Sequence, residues 1–335
     1  MDFDRLPELG HVLSVDQFDR PFLDKICDVT QEIRELRDKP DGKRLLKEQF
    51  ADRTAMLYFT QPSSRTYTSF AVACQELGVS IVDVRDPHTS SEVKEESLLD
   101  SIRTFSSYVD VLIMRSPVEG LARDAAAYLD ATPRPRPIVN AGNAKDEHPT
   151  QALLDIYTMR RSFKDRGGVD GKTVAFVGDL ARSRVVRSLA KLMYHYYDMQ
   201  LLLVSPPEFR MKPDILAHLD QHRVRYEETA DFNGAVRQAD VVYMTRVQDE
   251  HDAADGTRSP RSFPEFHFTQ EHLGILRPEA IVMHPGPRRD ELDPATDDDP
   301  RSKYWRQMRN GKHLREAVIA CILATLQRKR NERRR

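Results

Sequence analysis

A chain of 335 residues exceeds one core of ordinary size and suits two domains of about 150 residues each. With 39% hydrophobic and 31% charged residues the sequence is globular and not disordered, and a net charge of −2 excludes any global attraction to nucleic acid or an anionic membrane. No apolar run reaches spanning length, Met1-Asp2-Phe3-Asp4 lacks the features of a signal peptide, and the isolated cysteines Cys27, Cys74 and Cys321 lack zinc-ligand spacing. A cytoplasmic protein with buried free thiols is expected.

Ser14 with Gln17 has the form of a capping box. Phe18, Phe22, Ile26, Val29, Ile33 and Leu36 then recur every three or four residues, which predicts an amphipathic helix ending near Pro40. Strands are predicted at 55–60, 80–84, 109–114 and 137–141, with helices at 66–77, 96–108 and 118–129 between them. A second alternation begins after Gly167-Gly168, with strands at 173–177, 200–205, 241–245 and 280–284. Helical patterns at 151–163 and 316–326 flank this half as struts between the domains. The predicted class is α/β, two doubly wound parallel-sheet domains joined by interdomain helices. The boundaries are set at 1–150, completed by a C-terminal helix at about 314–327, and 151–313. The halves are alike in architecture without an internal sequence repeat. The basic stretch 327–335 reads as a frayed, solvated helix end in preference to an RNA contact.

The most informative stretch runs from Phe59 to Phe70. An apolar strand empties into Pro62-Ser63-Ser64-Arg65-Thr66, and a helical pattern follows. Hydroxyls, a guanidinium and backbone amides are thereby gathered at a helix N-terminus, where the helix dipole favours an anion. Arginine adds a fork that matches phosphate oxygens two at a time. The chemistry predicted is capture of a small phosphorylated molecule. Other polar residues also follow predicted strands, where open α/β sheets bind ligands: Arg115, His148 and Gln151, Arg184, Arg246 and Gln248, and His284-Pro285-Gly286-Pro287. Gly178-Asp179 is not a dinucleotide site, because no second glycine follows at the required spacing. Asp297-Asp298-Asp299 reads as a solvated loop and not a calcium site, and His284 as structural.

Ser63-Ser64-Arg65-Thr66 resembles the Ser-Thr-Arg-Thr phosphate motif of the aspartate and ornithine carbamoyltransferase family, with Ser64 where threonine is usual. His148-Pro149-Thr150-Gln151-Ala152-Leu153-Leu154-Asp155 resembles its His-Pro-Thr-Gln-x-Leu-Leu-Asp signature, and the likeness runs from about residue 10 to 326. Ser90 and Lys94 align with the serine and lysine that family members insert into a neighbouring subunit's site, and Arg115 aligns with a second phosphate-binding arginine. Gly178 to Arg184 and Thr245-Arg246-Val247-Gln248 resemble the aspartate branch, whereas the ornithine branch has Asp, Ser-Met-Gly and His-Cys-Leu-Pro elements absent here. Two arginines suit a dicarboxylate and repel the ammonium of ornithine. Tyr67 departs from the family pattern, in which an arginine commonly follows the motif, and so do Gln61 and Pro62.

The resemblance implies transfer of the carbamoyl group of carbamoyl phosphate to aspartate, giving N-carbamoyl-aspartate and phosphate, an early step of pyrimidine synthesis. Carbamoyl phosphate is already activated, so no metal, cofactor or covalent nucleophile is expected, and positioning and charge stabilisation remain. Ser63, Ser64, Arg65, Thr66 and Arg115 are expected to hold the phosphate, with Lys94 and Ser90 arriving from an adjacent chain. His148 and Thr66 are to donate to the carbamoyl oxygen, and Gln151 is to bind the carbamoyl amide. Arg184 and Arg246 are to hold the two carboxylates of aspartate, assisted by Gln248. Pro285 and Gly286 are to supply backbone carbonyls to amino groups, with Gly286-Pro287 a candidate cis bond. Sharing of Ser90 and Lys94 implies a homotrimer or higher assembly. A carbamoyltransferase for another acidic amine and a catalytically silent scaffold homologue are the alternatives.

Overall fold

The structure is a computed structural model that describes residues 2–85, 96–143, 147–249 and 262–332. The chain divides into two compact units, Met1–Leu153 with Gly311–Arg335, and Leu154–Asn310. Both are α/β.

The first unit contains a parallel sheet of β1 (Thr54–Phe59), β2 (Ser80–Val84), β3 (Val111–Arg115) and β4 (Ile138–Asn140), in the order β2-β1-β3-β4. Apolar runs such as Ala-Met-Leu-Tyr-Phe and Val-Leu-Ile-Met are buried along their length, as strands covered on both faces must be. Edge strand β2 is largely exposed. Helices α1 (Arg20–Arg37), α2 (Gly42–Gln49), α3 (Ser64–Glu76), α4 (Leu98–Ser106) and α5 (Leu121–Asp130) accompany the sheet. One core cluster joins Tyr58, Leu112 and Met114 to Ile102, Leu121, Ala125 and Leu129 of α4 and α5.

The expected start of α1 is corrected. The Ser14–Gln17 box closes a 3-10 turn at Val15–Gln17, and the helix starts after Asp19, whose carboxylate accepts from the Phe22 amide at 2.8 Å. Pro21 fits the first turn because no intrahelical donor is needed there. Phe18 is extended and lies between the two elements.

The second unit contains β5 (Thr173–Val177), β6 (Gln200–Val204), β7 (Arg225–Thr229), β8 (Val241–Met244) and β9 (Ile281–Met283), all parallel, in the order β7-β6-β5-β8-β9. Helices α7 (Arg184–Leu192), α8 (Pro213–Gln221), α9 (Phe232–Gln238) and α10 (Gln270–Ile275) belong to it. Its core packs Val177, Val204 and Met244 with Phe232, Phe268 and Leu292. Two helices contain the division between units: α6 (Pro149–Ser162), between Leu153 and Leu154, and α11 (Tyr304–Glu332), between Asn310 and Gly311.

The helix expected at 316–326 is the middle of the 29-residue α11. The basic stretch is helical through Glu332 and not frayed there. Arg328 donates to the Asp4 carbonyl at 3.0 Å and to Thr325 Oγ1 at 3.2 Å, and Lys329 pairs with Glu8 at 3.1 Å. The triple aspartate is also not simply solvated, because Asp297 is gripped by Arg288 and Asp299 by Arg301. All three cysteines are buried and free, and burial pushes the Cys74 and Cys321 thiols up to about 12. No helix among the described residues is long and apolar enough to cross a membrane.

Candidate active site

Each strand order contains a reversal, between β1 and β3 in the first unit and between β5 and β8 in the second. Open α/β sheets form a crevice at such a switch point, beyond the C-terminal ends of the strands. Of the expected site residues, Ser63 to Thr66 and Arg115 follow the strands at the first switch point, and Arg184, Arg246 and Gln248 follow those at the second.

In the first unit, β1 ends at Phe59, which is in register with Arg115 at the end of β3, and the Gln61 amide donates to the Arg115 carbonyl at 3.1 Å. Arg115 therefore lies beside the loop that carries Ser63 into α3. Ser63 is the N-cap of α3, but its hydroxyl makes no capping bond, and Ser64, Arg65 and Thr66 form the first turn. Ser64 and Arg65 are exposed, and Thr66 is buried. Amide ends, hydroxyls and the Arg65 guanidinium thus stand at one helix terminus, as an oxyanion requires.

β4 contributes through the turn that follows it. Asn140 Oδ1 accepts from the amides of Gly142 and Asn143, at 2.8 and 2.9 Å, and Asn143 Oδ1 accepts from the Ser116 amide at 3.0 Å. This ties the end of β4 to the end of β3. Arg115 Nη1 donates to the Ala141 carbonyl at 3.3 Å. Gly142 has φ +96°, and a Cβ there would lie 2.8 Å from His148 Cδ2 and 2.9 Å from Arg115 Nη1. The imidazole and the guanidinium therefore close on the same glycine, although 32 positions separate them in sequence. His148 opens α6, its carbonyl accepting from the amides of Gln151 and Ala152. His148, Gln151 and Arg115 are all buried. Ser90 and Lys94 lie outside the described residues.

Tyr67 turns toward the neighbouring strand. Its hydroxyl donates to Asp83 at 2.8 Å, Arg85 lies 4.4 Å above its ring, and Phe59 meets it edge-on. Burial, then the bond to Asp83, raises the pKa of the phenol.

In the second unit, Ser183 caps α7, accepting from the Val186 amide, and Arg184 is the first residue of that helix. β5 passes into Gly178 and Asp179. Gly178, at φ +113°, is packed so closely that a Cβ would sit 2.3 Å from the Thr245 carbonyl oxygen, which brings the ends of β5 and β8 together. Asp179 is fully buried and accepts from the Gln248 amide at 2.9 Å, the Arg182 amide at 3.1 Å and Arg182 Nε at 2.8 Å. Burial pushes its pKa up against the pull of those donors. From sequence, Gly178-Asp179 is considered only as a dinucleotide site and rejected as one, so this bracing role of Asp179 is not foreseen; its signal is only that it follows a strand-ending glycine. Arg246 donates to the Val247 carbonyl at 2.8 Å and lies 3.8 Å from Asp249, which Arg289 grips through two nitrogens at 2.8 and 2.9 Å. Two guanidiniums at neighbouring strand ends can hold a dicarboxylate.

Pro285 and Gly286 follow β9, and the Gly286–Pro287 bond is cis. His284 is fully buried, accepts from the Gly286 amide at 2.7 Å through Nδ1, and meets Glu291 at 2.8 Å through Nε2. The His284 amide donates to Gln307, which donates to Asp155; Tyr243 donates to the other Asp155 oxygen. The last residue of the 148–155 signature is thus a fully buried acceptor that fixes β8 and the strand end before the Pro-Gly-Pro turn.

Residues 10–161 match the carbamoyl-P binding domain of aspartate/ornithine carbamoyltransferases, and residues 170–322 match the Asp/Orn binding domain. The chain is 38% identical to the chloroplastic aspartate carbamoyltransferase of Arabidopsis thaliana over 319 residues, 94% of this chain and 78% of the relative. It is 34% identical to the aspartate carbamoyltransferase catalytic subunit of Thermoplasma acidophilum over 312 residues, 93% and 97% of the two chains. The crystal structure of Trypanosoma cruzi aspartate transcarbamoylase in complex with carbamoyl aspartate and phosphate is similar with a TM-score of 0.82 at 33% identity, over 95% of this chain and 98% of that one. With both domains matched in order and the likeness covering nearly its whole length, the chain belongs to the aspartate/ornithine carbamoyltransferase family.

Proposed function

We propose that this protein transfers the carbamoyl group of carbamoyl phosphate to the amine of L-aspartate, releasing N-carbamoyl-L-aspartate and phosphate in pyrimidine biosynthesis. The observation that carries the reading is the sign of charge at each switch point: Arg65 and Arg115 with hydroxyls in the first unit, Arg184 and Arg246 with Gln248 in the second. The first unit is assigned to carbamoyl phosphate and the second to aspartate. Ser63, Ser64, Arg65, Thr66 and Arg115 hold the phosphate. As the aspartate nitrogen bonds to the carbamoyl carbon, negative charge grows on the carbonyl oxygen, where His148 and Thr66 donate. Gln151 binds the carbamoyl amide, and the carbonyls of Pro285 and Gly286 accept from amino groups. The carbon–oxygen bond to phosphate then breaks, and the leaving phosphate takes the amine proton. The test is phosphate release with carbamoyl phosphate and aspartate, glutamate, ornithine, putrescine or diaminopropionate. Turnover with aspartate and identification of carbamoyl aspartate are expected; turnover only with another amine refutes the acceptor assignment.

The proposal extends to a homotrimer in which Ser90 and Lys94 complete a neighbour's site, supported by their alignment with the residues that family members share between subunits. Mixing Lys94→Ala with His148→Ala protein, each inactive alone, is expected to restore turnover in hybrids; no recovery from subunits shown to exchange refutes the sharing. Cytoplasmic location is proposed from the buried free thiols, whereas the Arabidopsis relative is chloroplastic. Fractionation of the source cells tests it.

A further inference from the structure

The Pro285-Gly286-Pro287 turn has a buried support that the reaction scheme does not use. His284 Nδ1 lies 2.7 Å from the Gly286 nitrogen, which can only donate, so Nδ1 carries a lone pair and the ring proton sits on Nε2. Nε2–H then donates to Glu291 Oε1 at 2.8 Å. The same carboxylate oxygen accepts from the Arg289 amide at 2.8 Å, so Glu291 ties both ends of the segment 284–289. Burial alone would raise the pKa of Glu291, but the bonds from His284 and the Arg289 amide hold it below the ordinary range. Tyr304 meets the imidazole edge-on at 5.8 Å, and Gln307 fixes the His284 backbone. The ring is held in position, tautomer and tilt.

The consequence lies in one peptide plane. In a trans peptide the N–H of residue i+1 and the C=O of residue i point in opposite directions. The Pro285–Gly286 bond is not among the cis bonds. Aiming the Gly286 N–H at the buried imidazole therefore aims the Pro285 C=O away from it. A carboxylate on the far ring nitrogen also increases electron density at Nδ1, which strengthens the bond to Gly286 and polarises the carbonyl of the same amide.

We propose that His284 and Glu291 are positioning residues that set the direction and acceptor strength of the Pro285 carbonyl, the group that receives substrate amino hydrogens; this rests on the carbamoyltransferase reading above. The test compares wild type with His284→Leu, which removes the acceptor, and His284→Asn, whose side-chain oxygen can take the place of Nδ1. Two readouts are taken: kcat and KM for carbamoyl transfer, and hydrogen exchange of a peptic segment containing Gly286. The expected result for His284→Leu is faster exchange at that segment and a kcat lowered by about tenfold to a hundredfold, the range for a misplaced binding group. His284→Asn is expected to restore protection and most of kcat. Should His284→Leu not fold, Glu291→Gln keeps the shape and weakens the anchor, and a kcat loss of about threefold is expected, since a neutral acceptor bonds about half as strongly. Wild-type kcat or unchanged exchange in the folded variants, or equal losses in Leu and Asn, overturns the relay. A folded wild-type protein inactive toward every amine overturns instead the function on which the role depends.

Discussion

Gly142→Ala is the most demanding probe of the first half-site. The new methyl would stand 2.8 Å from the His148 ring and 2.9 Å from the Arg115 guanidinium. Comfortable separation of such atoms is about 3.5–4.0 Å, so both groups must retreat by about 0.7 Å or more. The backbone adds strain, because φ is +96° and a left-handed conformation costs a residue with a Cβ about 1–2 kcal/mol. Displacements near 1 Å cost on the order of a hundredfold in rate, so kcat for carbamoyl transfer is expected to fall by about thirtyfold to a hundredfold. Gly120→Ala is the control. It lies in the same unit at φ +73°, and the heavy atom nearest its added methyl is 3.7 Å away, a side-chain oxygen of Asp124. Urea unfolding is expected to show the cost of the positive φ in both variants and a further loss from the clash in Gly142→Ala, with the rate loss confined to Gly142→Ala. Equal turnover in the two variants would refute the argument that His148 and Arg115 act from the positions they hold around this glycine.

Arg65→Ala and His148→Ala are each expected to abolish measurable turnover while leaving the unfolding transition in place; full activity in both sinks the site assignment. Arg246→Ala is expected chiefly to raise KM for aspartate, by about tenfold or more for one lost charge-assisted contact, with a smaller effect on kcat; an unchanged KM points to another acceptor. Stability at low pH is expected to depend on Glu316 of α11, which is fully buried and pairs with Arg37 at 2.9 Å and Lys312 at 3.3 Å. Burial would raise its pKa, but the neighbouring His313 ring, 3.6 Å away, the Glu76 carboxyl and the charges of Lys312 and Arg37 outweigh this and hold it at about 2. A carboxyl depressed in the folded state contributes its full stability above the unfolded value of 4.5 and loses it as pH falls toward 2. Urea titrations of wild type and Glu316→Gln at pH 5 and pH 3 check this, and an identical pH dependence in both contradicts it.

The strands at 80–84 and 173–177 were legible to the residue, because each is a run rich in β-branched residues that starts two positions after a glycine. β7 was not legible. Its Arg-Tyr-Glu-Glu-Thr is an exposed edge, so no core demand shows in its composition. Nor was α2, a short helix with a buried leucine at Leu46 and mostly charged neighbours. The first turns of α11, at Tyr304-Trp305-Arg306-Gln307, hide because Gln307 and Asn310 are buried polar residues satisfied by Asp155 and Thr158. In the first half-site, residues adjacent in the chain could be read together, as at 63–66 and 148–151. The meeting of Arg115, Gly142 and His148 could not, because it depends on the β1–β3 and β3–β4 registers and on Asn140 folding the turn. Tyr67 looked like a lost charge near the phosphate site, whereas its hydroxyl and ring are occupied by Asp83 and Arg85.

The first unit is built from two separated lengths of chain, 1–153 and 311–335, whereas the second is continuous. Arg37 of α1 and Glu76 of α3 find Glu316 and Lys312 only in the last helix, as Ser69 finds Arg315 and the Leu9 amide finds Thr325. A ribosome therefore makes residues 1–153 before the second unit and the piece that completes them after it. The second unit can close while residues 1–153 still lack 311–335, which leaves Arg37, Ser69 and Glu76 without these partners through the synthesis of the whole middle of the chain. A premature stop after residue 310 would therefore disable residues 1–153, which are translated before the second unit.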